Sequence, residues 1–109
     1  MSAREQQAGD RIDLTRVLAN AARELEAMHA RADRLDEAVG DLLVTAGGAG
    51  AKPDAALLQD MDLLRQSLDC MHVLMRNLAR EAAGASMVSR NSLADGVYLE
   101  AFRKECLSG

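Results

Sequence analysis

Apolar residues recur in strict four-three alternation along two long stretches of the chain. The first series follows Ile12: Leu14, Leu18, Ala21, Leu25, Met28, Ala32, Leu35, Val39, Leu42 and Ala46. The second runs Leu57, Met61, Leu64, Leu68, Met71, Met75, Leu78 and Ala82. This spacing lays one apolar stripe along each of two helices. The pattern predicts a first helix over 10–47, with Asp10 or Asp13 at its first turn and Gly47 and Gly48 as its stop. Residues 47–53 read as a glycine-rich loop, and Pro53 suits the first turn of a second helix over 54–83. Residues 1–9 carry no period and are expected to form a frayed tail. The stretch Gly84 to Asn91 breaks the periodicity. A third helix is expected over 91–107, capped by Asn91 or Ser92, with Leu93, Val97, Tyr98, Phe102 and Cys106 packing on the other two. Gly96 weakens that helix by about 1 kcal/mol relative to alanine.

Helices of about 30 residues, each about 45 Å long, joined by a short loop form an antiparallel hairpin. The expected fold class is therefore all-α: a long helical hairpin plus a short third helix, in a single domain. One Phe, one Tyr and no Trp leave little bulk for a core. A hairpin alone leaves its stripe open on one side. Homodimerisation into a four-helix bundle closes it.

Thirteen basic against seventeen acidic residues give a net charge of -4, with the basic residues scattered rather than gathered. That composition argues against nonspecific nucleic-acid binding. No run approaches the roughly 18 apolar residues of a membrane span. The N-terminal MSAREQQAGDR lacks a secretory apolar stretch. Cys70 and Cys106 have no CxxC or Cys/His company, so they read as small, reduced packing residues in a cytoplasmic protein. The methionines at 61, 71 and 75 fall on the seam and read as adaptable core.

One pair stands apart from the packing pattern. With Leu57, Leu64, Met71 and Leu78 at heptad position d and Met61, Leu68, Met75 and Ala82 at a, Asp62 and Asp69 fall at b and Gln66 and Val73 at f. Asp62 and Gln66 thus project together, one turn apart, from the side opposite the seam. Beside them Leu63, Cys70 and Leu74 form a smaller apolar strip. With Asp69 and Val73 this strip makes the expected partner-binding face. The alternative use of the strip is as the seat of the third helix.

The segment Asp62-Leu63-Leu64-Arg65-Gln66 resembles the D-x-x-x-Q motif of the CheZ family of chemotaxis phosphatases, which act on the response regulator CheY. The small size and hairpin look more like the short CheT-type proteins. The specific likeness covers about a dozen residues around this motif, and elsewhere it is one of architecture alone. It implies a mechanism in which the partner, a phosphorylated CheY-like response regulator, brings its own Mg²⁺ and lysine, and this chain needs no cofactor or metal. Gln66 would orient the attacking water through its amide, and Asp62 would pair with the receiver's lysine. The gain would come from positioning.

Two other readings stay open. One is a non-catalytic helical adaptor docking through Leu63, Cys70 and Leu74. The other is a phosphotransfer protein using His29 or His72, which lie beside the seam without the basic and glycine neighbours usual around a phosphorylatable histidine. Both histidines are expected to be half-buried. Arg65, Arg76 and Arg80 read as solvated partners of nearby acids or as attractors of an acidic partner surface.

Overall fold

A computed structural model describes residues 9–45 and 55–109. Residues 1–8 of the expected 1–9 tail, the Gly47–Gly48 stop, the 47–53 loop and Pro53 lie outside the described residues. In chain order the elements are β1 (Arg11–Asp13), α1 (Leu14–Thr45), α2 (Ala55–Glu81), β2 (Met87–Ser89), α3 (Arg90–Ala94) and α4 (Glu100–Leu107). The protein is mostly helical, and the two long helices pack together.

The first helix begins four residues later than its periodicity suggests. Arg11–Asp13 instead pairs antiparallel with Met87–Ser89, placing Ile12 opposite Val88. Both side chains are buried, and β-branched residues suit such a pair. Asp13 then ends the strand and starts the helix: its carboxylate accepts from the Thr15 amide at 3.2 Å. Asp10 serves elsewhere. It accepts from the Ser89 hydroxyl and, at 2.9 Å, from the Asn91 amide, tying the N-terminal strand to the start of α3. Ser89, rather than Asn91 or Ser92, caps α3 by accepting from the Ser92 amide.

The expected single third helix is two short ones. Gly96 has φ of 82°, a left-handed conformation that interrupts helix geometry. A Cβ there would also lie 3.2 Å from the Val73 side chain, so the turn presses directly on α2. Gly84, at φ 73°, likewise closes α2.

The two stripes divide by heptad position. In α2 the d residues Met71 and Leu78 are buried, while Met61, Leu68 and Met75 at a are exposed. In α1 the same spacing buries Ala21, Met28 and Leu35 and exposes Leu18 and Leu25. Each helix therefore spends one half of its stripe inside the hairpin and leaves the other half as a continuous outer row. The core lies where α3 and α4 join the hairpin, around Val17, Met28, Cys70, Leu74, Leu93, Val97 and Phe102.

Two buried asparagines hold the C-terminal elements to the rods. Asn77 donates its carboxamide hydrogens to the carbonyls of Leu93 and Asp95, at 2.9 and 2.8 Å. Arg80 donates to its oxygen at 2.6 Å. Asn20 repeats the arrangement with the carbonyls of Cys106 and Ser108, at 3.0 and 2.9 Å, and Arg23 donates to its oxygen. Each clamp satisfies carbonyls left open at the end of a short helix. The residues share a local pattern, Asn-x-Ala-Arg-Glu, at 20–24 and 77–81. Arg90 adds a third tie, donating to the carbonyls of Gly9, Arg11, Leu107 and Gly109.

Removing the Asn77 carboxamide strands two carbonyls and the Arg80 guanidinium. Asn77→Ala is expected to cost about 2 kcal/mol in urea unfolding, against about 0.5 kcal/mol or less for Gln59→Ala on the exposed surface.

Candidate functional site

Asp62, Arg65, Gln66 and Asp69 occupy consecutive turns on one side of α2, and their side chains form a connected chain. Gln66 donates Nε2 to Asp62 Oδ2 at 2.7 Å. Asp62 Oδ1 accepts from Arg65, at 2.8 Å from one terminal nitrogen and 3.3 Å from Nε. The other terminal nitrogen of Arg65 reaches Asp69 Oδ2 at 3.3 Å. Tyr98, from the turn between α3 and α4, completes the series with its hydroxyl 3.5 Å from the same Asp69 oxygen.

The Asp62–Gln66 contact settles which way the amide lies. An ionised carboxylate offers only acceptors, so the NH₂ must face Asp62 and the carbonyl oxygen is turned to other use. Among the described residues that oxygen accepts no hydrogen bond. Their heptad positions predict that both side chains are solvent-exposed; Asp62 keeps 55% of its side chain exposed, whereas Gln66 is half-buried, a correction to that expectation. What results is an amide whose NH₂ is turned to Asp62 and whose oxygen points elsewhere, beside a carboxylate.

Electrostatics around the pair are mild. The hydrogen bond to Asp62 and the charges of Asp62 and Asp69 raise the already high pKa of Arg65, so it stays cationic. Desolvation and the neighbouring Asp69 charge raise that of Tyr98, which remains a phenol. Being exposed, the Arg65 ion pairs exchange readily with an incoming cation. Such a site can hold and orient water. It presents no nucleophile.

The other sequence-derived positions divide sharply. Cys70 and Leu74 are 0% and 1% exposed, within the core cluster that also holds Leu93, Val97 and Phe102. They are therefore unavailable to a partner, which corrects their place in the expected docking face. The strip is the seat of the C-terminal segment, the alternative use anticipated above. Val73 is half-buried against Gly96, whereas Leu63 and Asp69 remain exposed. Both histidines are exposed rather than half-buried, and His29 lies 3.4 Å from Asp33.

Sequence reasoning missed Tyr98 as part of this site, having placed it on the packing face of a continuous helix. The usable signal was Gly96, whose left-handed turn rotates Tyr98 away from the core. It also missed Asn20 and Asn77, for which the recurring Asn-x-Ala-Arg-Glu was the available sign.

Among the described residues no cluster of His, Cys, Asp or Glu has the grouping of a metal site. No described helix is long and apolar enough to cross a membrane. No family model matches the chain, and neither a curated protein nor a solved structure matches it.

Cys70 and Cys106 are both buried and free. Burial, followed by the Glu24 and Glu105 carboxylates, pushes the Cys106 thiol from its ordinary 9.0 up to about 12. In the unfolded chain this thiol ionises near 9.0, while the folded chain keeps its proton to about 12. Its contribution to stability is thus complete below pH 9 and is lost as pH rises toward 12. Unfolding free energy measured across that window should fall with pH, and less steeply for Cys106→Ala. Native protein at pH 8 should resist a thiol reagent that labels both cysteines in urea.

Proposed function

We propose that this chain accelerates hydrolysis of the aspartyl phosphate on a CheY-like response regulator. The observation that carries the reading is the half-buried Gln66 amide, whose NH₂ donates to the exposed Asp62 carboxylate at 2.7 Å on one side of α2. Docked against a receiver domain, the amide oxygen accepts a hydrogen bond from a water and holds it in line with phosphorus. The water oxygen bonds to phosphorus as the bond to the aspartyl oxygen breaks. Inorganic phosphate and a free aspartate carboxylate result. Mg²⁺ belongs to the receiver, and this chain supplies position.

Asp62 pairs with the receiver's lysine in this scheme. In the free protein Arg65 occupies the same carboxylate, and it also touches Asp69. It can keep the Asp69 contact when the lysine arrives. Burial of Cys70 and Leu74 leaves an adaptor only Leu63 of its three proposed contact residues.

The protein acts as a homodimer in this proposal. Support comes from the outer row of Leu18, Leu25, Met61, Leu68 and Met75, which is exposed along both helices. Between its two rods lies an open groove of about 410 Å³ lined by Ala32, Leu35, Val39, Met61, Leu64 and Leu68, with Asp36 and Arg65 at its edge. From Leu18 to Val39 the row is about 30 Å long. Two helices wide, it offers on the order of 600 Å², approaching the area each partner contributes to a standard stable interface. A second copy presents the same row and closes both into a four-helix bundle.

Phosphate release from CheY-like receivers charged with acetyl phosphate tests the activity. The wild-type chain should accelerate release, and Gln66→Ala should lose on the order of 10²-fold while still associating with the receiver. Association without acceleration indicates an adaptor. Label passing to His29 or His72 indicates phosphotransfer. For the dimer, Leu68→Glu should halve the mass measured by sedimentation equilibrium, and an unchanged mass would contradict the bundle.

A further inference from the structure

Tyr98 is the exposed aromatic of a rigid turn. The chain has one Tyr and one Phe, and the structure treats them oppositely. Phe102 is buried, whereas Tyr98 is 57% exposed although Val97 beside it is buried and Leu99 is half-buried. Nothing about core packing calls for an aromatic ring at this position.

Its place is fixed by backbone ties rather than by its own burial. The Val97 amide donates to the Ala94 carbonyl at 2.9 Å, closing the turn around Gly96. Asn77 holds the carbonyls of Leu93 and Asp95 from within α2. The turn therefore sits against α2 in one position and presents the ring beside Asp69. The hydroxyl contact with Asp69, at 3.5 Å, is at the limit of a hydrogen bond and adds little hold.

Asp69 lies two turns from Asp62, about 10 Å along the helix axis, with Gln66 between them. The oriented amide is thus bracketed by Asp62 at one end and by Asp69 with Tyr98 at the other. Two carboxylates share one guanidinium, so the bracket carries a net negative charge. A ring held in a fixed position, at the edge of a small acidic patch, is well suited to anchor a partner segment that is cationic and partly apolar. Tyrosine supplies large contact area at small entropic cost, and such rings concentrate binding energy at interfaces.

We infer that Tyr98 is a positioning residue of the phosphatase site: it binds the receiver surface that carries the lysine, and so sets the approach of the acyl phosphate to Gln66. This rests on the reading proposed above. The ring touches the partner without touching the reacting atoms. Its loss should weaken docking and leave the chemical step alone.

Steady-state phosphate release with CheY-like receivers kept charged by acetyl phosphate provides the test. Tyr98→Ala is expected to raise KM for the receiver about tenfold with kcat within about twofold of wild type. Tyr98→Phe keeps the ring and should restore KM to within about twofold. Binding to beryllofluoride-charged receiver, followed by titration calorimetry, should weaken by the same factor in Tyr98→Ala. Thermal melting should be nearly unchanged, since the side chain is largely exposed. Wild-type acceleration with an unchanged KM in Tyr98→Ala overturns this inference alone. A fall in kcat with KM intact also overturns it. Absence of both acceleration and binding in the wild type overturns the proposed function and this inference with it.

Discussion

Asn77 makes the contact that seats the C-terminal segment, and with it Tyr98, against α2. Its carboxamide, buried inside the hairpin, holds the carbonyls of Leu93 and Asp95 and so fixes the turn between α3 and α4 against α2. A two-helix hairpin has too little apolar surface to order a third segment firmly by burial alone, and this chain has few large side chains to add. Directional hydrogen bonds in a dry setting supply what bulk does not. The same device at Asn20 seats the end of α4. With both in place, the C-terminal segment covers Cys70 and Leu74 and leaves Asp62 and Asp69 exposed. The rod is thereby buried on one flank and open on the other.

That division gives α2 three distinct sides. The d positions, joined by Ser67, Cys70 and Leu74, face the core. Met61, Leu68 and Met75 face outward beside the matching row of α1. Asp62, Gln66 and Asp69 lie on the remaining side, edged by Tyr98. In the proposed function the helix would meet a second copy and a receiver as well as its hairpin partner, and this separation would let each contact form without displacing another. Arg65 sits where two sides meet, at the edge of the apolar groove and in contact with both carboxylates.

Much of this was legible in the residue pattern, and the misses have physical causes. The two long helices followed from the spacing of Leu, Met and Ala, which a 3.6-residue repeat makes hard to mistake. Asp62 and Gln66 were placed on one face by their spacing alone. The strand pair was not legible: three residues such as Arg11-Ile12-Asp13 are too few to show alternation, and their partner Met87–Ser89 is remote in sequence. The break in the third helix turns on a single residue, Gly96, whose cost in a helix is legible but whose left-handed φ and close approach to Val73 are not. Burial of Cys70 and Leu74 depended on where that broken segment docks. Local pattern carries no such information, and the asparagine clamps that decide it are long-range.

In the proposed function Gln66 meets the receiver directly, through the amide that donates to Asp62. The most direct measurement follows the carboxamide protons of Gln66 and the ring protons of Tyr98 by NMR as a beryllofluoride-charged CheY-like receiver is added. Both sets of signals should shift together and saturate at the same receiver concentration. Saturable binding that moves signals of other surfaces while these two stay in place would contradict the account.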